Sequence, residues 1–322
     1  MSHQDPNTHY FLNDWLQNRF LILNIGTTSA GKTYTTFRIL DEMRKAKHPP
    51  SHLLFCTTSG GLDRTLRKQS KKFGQEIDFC DIEELPDKIQ SIIANWTIVK
   101  TLTKLSNYHG SELREMTEQK MNKLEEDIAY RYGDFEIIKD ELQSFVNYIR
   151  EVLHKTEVVR KKTPHGIMKC ERPVFNSQSL KQGLRYYKEE YGSKHPINVV
   201  VCIDDYMSDK QLIKNDSTLQ KLIVKRRHLG ISFVINLQRL VTGISKTIRS
   251  LVNTFILFKG VPTYDLEQVA QAMGIPPRDK NSFIDKYNEI TKQYTTVNGQ
   301  KYYHKAIASI EKQEVFKFWA FT

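Results

Sequence analysis

The sequence predicts an α/β protein with a mostly parallel sheet, helices on both faces, a helical and basic insertion, and a small C-terminal hairpin. Residues 1–84 and 196–262 alternate short apolar runs with segments of helical periodicity, the rhythm of βαβ units. Residues 85–195 interrupt that rhythm. Residues 263–322 contain Asn298-Gly299 between two strand-like runs, a strong hairpin signal. We therefore expect a core in two parts, an insertion and a C-terminal region.

The individual core elements follow from the same patterns. Apolar runs rich in β-branched residues predict strands, and apolar residues at helical spacing predict helices. In chain order they are strand Phe20–Ile25, a helix from Lys32 to about Lys47, strand Leu53–Thr57, a short run at Glu76–Phe79, strand Ile197–Ile203, a helix near Ser217–His228, strand Ser232–Leu237, a short helix near Ser245–Val252, strand Phe255–Lys259, a helix over Tyr264–Ala272, and the hairpin Gln293–Val297 with Gln300–Tyr303.

The insertion contains two kinds of sequence. From Leu85 to Leu153, apolar residues recur at helical spacing with polar residues between them, which predicts an inserted helical hairpin or lid. Plain helical packing without a role in function is the alternative. The stretch Val159–Pro173 holds two prolines, a glycine and little periodicity, so we expect a mobile loop there.

Composition limits the class of protein. Hydrophobic and charged contents of 39% and 26% over 322 residues are ordinary for a globular protein. No apolar run is long enough to span a bilayer, and the start lacks the pattern of a signal peptide. The four cysteines form no C-x-x-C pair, so buried reduced thiols explain them better than disulfides or zinc. We therefore expect an intracellular protein with no membrane partner.

The net charge of +11 and the isoelectric point near 9.3 indicate a polyanionic partner, most often nucleic acid. A generally basic proteome is the alternative explanation. Two basic clusters are the candidate DNA-binding residues. They consist of Arg64, Arg67 and Lys68 after the second strand, and Arg160, Lys161 and Lys162 in the expected loop.

A phosphate-binding loop follows the first strand. Gly26, Gly31, Lys32 and Thr33 fill every fixed position of G-x-x-x-x-G-K-[ST]. The glycines let main-chain N–H groups face phosphate oxygens, Lys32 bridges the β- and γ-phosphates from the surface of the loop, and the Thr33 hydroxyl is suited to Mg²⁺. The predicted nucleotide-binding residues are Gly26, Thr27, Thr28, Ser29, Ala30, Gly31, Lys32, Thr33 and Tyr34.

Two adjacent carboxylates follow the strand at Ile197–Ile203. Ligands of an open parallel sheet bind at the carboxyl ends of its strands. Asp204 is therefore the candidate metal ligand beside Thr33, and Asp205 the candidate base that polarises the attacking water. The alternative for such a pair is a turn or a helix cap.

Three more residues complete the predicted catalytic set. Gln238 ends the strand at Ser232–Leu237 and would sense the γ-phosphate or orient water if that strand lay between the loop strand and the Asp204 strand. Arg226 and Arg249 are candidates for a finger that contacts phosphate from the same subunit or a neighbour. A solvated strand end and ordinary surface arginines are the alternatives.

The ordered series Gly26–Thr33, Val199–Asp205, Lys225–Ser232, Gln238 and Ile248-Arg249 resembles the poxvirus-type genome-packaging ATPases of the FtsK–HerA superfamily of P-loop NTPases. The resemblance implies an additional-strand, RecA-like sheet, ATP hydrolysis with Mg²⁺, and a ring-forming homo-oligomer. It also implies translocation of double-stranded DNA into a preformed capsid, with a capsid or portal protein as a further partner. The expected location is then host cytoplasm, a viral factory or the virion.

The resemblance covers Phe20–Thr58 and Ile197–Lys259, less than half of the chain. Asp205 departs from the wider superfamily, where many members have Glu, and the region from Leu85 to Lys194 has no matching motif. Two other functions stay open at this point: a helicase or AAA-like remodelling ATPase, and an ATP-switched nucleic-acid-binding protein without processive movement. A small-molecule kinase fits the Asp-Asp strand and Gln238 less well.

Overall fold

The computed structural model describes residues 19–45, 49–57, 77–164, 166–191, 198–204, 212, 216–310 and 314–318. The chain forms two compact units. The first comprises residues 1–86 and 195–322, and the second comprises residues 87–194.

The strands and helices are named in chain order. The strands are β1 (Leu21–Ile25), β2 (His52–Thr57), β3 (Asp78–Cys80), β4 (Thr156–Thr163), β5 (Gly166–Pro173), β6 (Val199–Asp204), β7 (Ile231–Leu237), β8 (Thr254–Leu257), β9 (Tyr294–Val297), β10 (Gln300–Tyr303), β11 (Lys305–Ser309) and β12 (Glu314–Phe318). The helices are α1 (Lys32–Lys45), α2 (Leu85–Leu105), α3 (Gly110–Arg131), α4 (Glu136–Leu153), α5 (Ser177–Tyr191), α6 (Thr218–Val224), α7 (Arg226–Leu229), α8 (Leu240–Gly243), α9 (Lys246–Arg249), α10 (Thr263–Ala272) and α11 (Lys280–Lys292).

The first unit is built on an eight-stranded sheet in the order β12-β11-β8-β1-β7-β6-β2-β3. The six strands from β8 to β3 run parallel, whereas β11 and β12 join antiparallel at one edge. Every residue of β1, β6, β7 and β8 is buried, as expected for parallel strands covered on both faces. The predicted fold class is confirmed. β7 lies between β1 and β6, the order on which the proposed role of Gln238 depends.

An aromatic and aliphatic cluster packs α1 onto the sheet. Phe37 of α1 stacks on Phe55 of β2 with ring centroids 5.3 Å apart. Leu40 and Met43, one and two turns further along, are buried in the same cluster. Burying side chains of this size contributes about 1.5–3 kcal/mol each. The packing fixes the helix that follows the phosphate loop.

The second unit contains α2, α3 and α4, so the predicted helical pair is in fact three helices. The apolar residues at helical spacing, such as Leu124 and Ile149, are buried, which confirms the periodicity. On the exposed side, Arg150 donates to both carboxylate oxygens of Glu125 at 2.7 Å.

The expectation of a mobile loop at Val159–Pro173 is wrong. Residues of β4 and β5 pair from Thr156 opposite Pro173 to Thr163 opposite Gly166. Gly166 has a φ of 124°, a backbone conformation that favours glycine. Most side chains of both strands are exposed, so no alternation between a buried and a solvated face marked the strands in the sequence.

In the described part of the C-terminal region, two predicted elements are present, the helix α10 and the hairpin, together with three unexpected ones. The Asn298-Gly299 hairpin is present as β9 and β10, with φ of 49° and 77° at the turn. Helix α11 begins shortly after Pro276 and Pro277, and β11 and β12 extend the main sheet. Other core elements shift by one to a few residues, and the helix predicted near Ser217–His228 divides at Lys225 into α6 and α7. Among the described residues, no helix has both the length and the apolar composition of a membrane span.

Candidate functional site

The phosphate loop connects the carboxyl end of β1 to α1. Gly26 N donates to Leu237 O at 3.1 Å, which ties the start of the loop to β7. A Cβ at Gly26 would lie 2.6 Å from the Cβ of Phe258, so only glycine fits. Gly31 has a φ of 89° just before the helix begins. Both glycines of the motif are therefore required by the backbone.

Lys32 lies inside the loop, not on its surface as expected. Its side chain is 8% exposed. The Nζ atom donates to the carbonyl of Gly26 at 2.8 Å and to that of Thr27 at 2.9 Å. The ammonium is thus held at the centre of the curl that main-chain N–H groups surround in phosphate-binding loops.

Thr33 and Asp204 meet, as the sequence predicted for metal ligands. Thr33 Oγ1 donates to Asp204 Oδ2 at 2.5 Å, joining the first turn of α1 to the end of β6. A hydroxyl and a carboxylate beside a phosphate loop are the hard oxygen donors that Mg²⁺ takes together with nucleotide phosphates. The residues present therefore fit Mg²⁺. The described residues contain no separate cluster of three or more acidic, histidine or cysteine ligands.

A row of buried polar side chains, which was not predicted from the sequence, lies behind this pair. Asn24 of β1, Asn236 of β7, Asp204 of β6 and Thr57 of β2 occupy the same register on four adjacent strands. Residues paired in this way face the same side of a sheet. The available signal was an asparagine inside each of two otherwise apolar strands.

Hydrogen bonds connect most of this row to α1. Asn236 Nδ2 donates to Asp204 Oδ1 at 2.9 Å. Asn236 Oδ1 accepts from Asn24 Nδ2 at 2.7 Å and from Thr36 Oγ1 at 3.0 Å. All four side chains are buried, where unpaired polar groups are costly. Asn236 therefore holds one oxygen of Asp204, and the other oxygen faces Thr33.

Gln238 follows β7 directly, between the strand that leads into the loop and the strand that ends at Asp204. The sheet order required for a sensor is thus present, and the sensing role stays a prediction. Asp205, Arg64, Arg67 and Lys68 lie outside the described residues, so the base and one candidate DNA cluster also stay predictions.

Arg226 is not placed as a finger. Its guanidinium donates to the carbonyls of Arg19 and Leu251 at 3.0 and 2.9 Å, and to Asn253 Oδ1 at 3.1 Å. These acceptors lie where β1 and β8 begin, at the amino edge of the parallel strands, whereas the phosphate loop lies at the carboxyl edge. Burial, with a smaller effect of Arg227, lowers the pKa of Arg226 to about 10. Arg226 therefore connects the segments that precede β1 and β8 through hydrogen bonds.

Arg249 lies at the end of α9, two residues before Leu251 and thus near the same amino edge. Its Nε is buried with no hydrogen-bond partner in the part of the chain that is described. A finger role within its own subunit does not suit this position, and a role in a neighbouring subunit stays a prediction.

The candidate DNA residues Arg160, Lys161 and Lys162 lie on β4 and are exposed. Arg160 is paired directly with Lys169 of β5. Like charges opposite each other destabilise a hairpin. An anionic partner would relieve that repulsion.

No protein-family model and no curated protein matches the chain. Solved structures are similar to it. The genome packaging NTPase B204 from Sulfolobus turreted icosahedral virus 2 in complex with AMP aligns over 95% of this chain and 99% of its own, at 11% identity and a TM-score of 0.43. Its complex with AMPPCP aligns over 95% and 100%, at 11% identity and a TM-score of 0.44. The cytoplasmic domain of the Thermomonospora curvata type VII secretion ATPase EccC aligns over 93% of this chain and 25% of its own, at 13% identity and a TM-score of 0.37. These sequence identities and TM-scores are too low to indicate the function of the site, so its function has to be inferred from its own residues.

Proposed function

We propose that this protein is a Mg²⁺-dependent ATPase that moves double-stranded DNA, as the packaging ATPases that its sequence resembles do. The observation that supports ATP hydrolysis is the contact between Thr33, in the first turn of α1, and Asp204 of β6. β7 lies between β6 and β1, the strand that leads into the phosphate loop. The contact brings a hydroxyl and a carboxylate together beside the loop, where nucleotide phosphates and a metal ion would bind in this proposal.

Each residue of the site has a defined task in this proposal. Main-chain N–H groups of the loop bind phosphate oxygens, and Lys32 exchanges the carbonyls of Gly26 and Thr27 for β- and γ-phosphate oxygens. Thr33 and Asp204 would hold Mg²⁺, which neutralises charge on the phosphates when bound. Asp205 accepts the proton of the attacking water, and Gln238 orients that water.

The DNA part rests on charge and on the hairpin β4–β5. The chain carries a net charge of +11, and Arg160 and Lys162 lie on one side of β4 with Lys169 opposite Arg160. Such a row contacts phosphates without reading bases, which is what sequence-independent movement along DNA requires. The sequence resemblance adds the ring-forming oligomer and the capsid or portal partner.

The experiment is ATP hydrolysis measured with and without Mg²⁺ and duplex DNA, for the unmodified protein, Asp204→Asn and Asp285→Asn. Asp285 is an exposed carboxylate on α11 and serves as the matched control. We expect DNA to stimulate the unmodified protein and the control equally, and Asp204→Asn to hydrolyse at least about 10-fold more slowly. Full hydrolysis by Asp204→Asn would remove the proposed metal site.

A further inference from the structure

A cavity of about 540 Å³ lies beside the phosphate loop. One wall is the loop segment from Thr27 to Gly31, with Tyr34 of α1. The facing wall comes from the other end of the chain, from Phe258, Lys259 and the segment Gln300–Lys305. No role in the site was predicted for this C-terminal segment from the sequence.

Sheet pairing fixes the position of the facing wall. β11 runs antiparallel to β8 with Ala306 opposite Leu257, so Lys305 lies where β8 ends. β8 is the neighbour of β1, whose carboxyl end leads into the loop. His304 N donates to Gln293 O at 2.9 Å, which ties down the base of the hairpin. Lys305 is therefore held at the same edge of the sheet as the loop.

The chemistry of the cavity suits a nucleotide. No carboxylate lines it among the described residues, while three lysines and four aromatic rings do. These residues are Lys259, Lys301 and Lys305, and Tyr34, Phe258, Tyr302 and Tyr303. Cationic and aromatic groups together fit a ligand that has both an anionic and a flat apolar part.

Lys305 is the most unusual of these residues. It is 8% exposed, and its Nζ lies 5.5 Å from the centre of the Phe258 ring. Burial alone lowers its pKa to about 8, with no carboxylate acting on it among the described residues. A buried cation without an opposite charge is costly. An anion bound in the cavity would offset the free-energy cost of burying the Lys305 ammonium.

We propose that the segment Gln300–Lys305 forms the second wall of the nucleotide site, with Lys305 binding phosphate oxygens of a nucleoside triphosphate and the aromatic rings of the cavity contacting its base. This inference rests on the proposed function, because it needs a nucleotide on the loop. It adds a phosphate-binding cation outside the Gly26–Thr33 motif. It also gives the C-terminal hairpin a role in substrate binding.

Binding of ATPγS and of adenosine, measured by calorimetry, tests the proposal. The variants are Lys305→Met, Lys305→Arg, and Lys286→Met as a matched control on the exposed side of α11. Lys305→Met should bind ATPγS about tenfold more weakly or worse, and adenosine as before. Lys305→Arg should restore ATPγS binding to within a few-fold, and Lys286→Met should match the unmodified protein.

The pH dependence gives an independent readout. Lys305 is charged below its pKa of about 8, so ATPγS affinity should fall as the pH rises through that value. Lys259, Lys301, His304, Tyr34, Tyr302 and Tyr303 face the same cavity. These groups are unchanged in Lys305→Arg, so any pH dependence that they cause remains in that variant. Its guanidinium stays charged over this pH range, so the decrease in ATPγS affinity that Lys305 causes should be absent.

Two failures are distinguishable. If the unmodified protein binds ATPγS and Lys305→Met binds it equally well, the role of Lys305 is refuted and the proposed ATPase stands. If the unmodified protein does not bind ATPγS at all, the proposed function and this inference fall together.

Discussion

Asn236 and Asp204 illustrate how a residue outside any motif controls one inside it. The amide of Asn236 takes one oxygen of Asp204, and the other oxygen faces Thr33. Groups that orient a metal ligand commonly affect metal affinity by about 10- to 100-fold. Asn236 is therefore a positioning residue for the proposed Mg²⁺ site.

Replacing Asn236 by Ala should raise the Mg²⁺ concentration needed for half-maximal hydrolysis by about 10-fold or more. The Mg²⁺ titration of ATP hydrolysis measures this. Ser232→Ala, a buried polar change near the other end of the same strand, should leave that concentration unchanged. An identical shift in both variants would mean that Asn236 acts only through general stability.

The motif residues could be predicted because their meaning is local. Gly26, Gly31, Lys32 and Thr33 are specified by spacing alone, and Asp204 by its place after an apolar strand. Asn236 and Lys305 could not be predicted, because their roles depend on which distant strands become neighbours. Register across β1, β7 and β6 is a property of the assembled sheet.

Two elements, β1 and β8, begin beside each other at the amino edge of the sheet, and Arg226 bonds to the chain at both places. Its hydrogen bonds are buried or partly buried, so their loss leaves main-chain carbonyls without a charged donor. The contribution of Arg226 is therefore to stability.

Arg226→Ala should lower the free energy of unfolding by about 2–4 kcal/mol. The neighbouring Arg227 is exposed, so Arg227→Ala should change it by less than about 0.5 kcal/mol. Denaturant unfolding of both variants provides the comparison. A fully stable Arg226→Ala protein that no longer hydrolyses ATP would restore the finger interpretation.

The hairpin β4–β5 presents its basic side chains on defined sides. Alternate residues of a strand face opposite ways, so Arg160 and Lys162 share one side with Lys169, and Lys161 faces the other. Each phosphate contact contributes a slope of about −0.9 to the dependence of log affinity on log salt for duplex DNA.

Changing Arg160, Lys162 and Lys169 together to Ala should flatten that slope by up to about 3, equally for different DNA sequences. Lys161→Ala, on the opposite side, should flatten it by at most about 1. Duplex binding measured over a range of salt concentrations tests this. An unchanged slope in the triple variant would move the DNA contact to another surface, such as the cluster of Arg64, Arg67 and Lys68.

The sequence predicted the strands that are runs of large apolar residues and missed the strands that lack such a run. β1, β6 and β7 are buried and mostly apolar, and each was predicted within one or two residues. β4 and β5 are solvated on both sides. β11 lies between β8 and β12 and is buried, but its five residues begin with a lysine and include only one large apolar side chain. Helix α11 follows two prolines, which read more simply as a break.

Taken as a whole, the first unit separates its chemistry between two edges of one sheet. The loop, Asp204 and Gln238 lie at the carboxyl edge, and Arg226 lies at the amino edge with Arg249 near it. An arginine near the amino edge is suited to act on a different subunit, which is the arrangement that the predicted ring provides.

Mixing Arg249→Ala with Lys32→Ala subunits tests this prediction. If Arg249 serves a neighbour, the mixture should regain hydrolysis, because the intact loop of an Arg249→Ala subunit meets the intact Arg249 of a Lys32→Ala subunit. Lys32→Ala mixed with Asp204→Asn, two variants with a defect on the same side of the site, supplies the control and should stay inactive. No recovery in the Arg249→Ala mixture would place the effect of Arg249 within its own subunit.

ATP-driven movement along intact duplex DNA is measured by displacement of a third strand from a DNA triplex. We expect displacement that requires ATP and Mg²⁺, is lost in Lys32→Ala, and leaves the two strands of the duplex paired. Separation of those strands would instead indicate a helicase. DNA-stimulated hydrolysis without any displacement would contradict translocation and leave an ATP-switched DNA-binding protein.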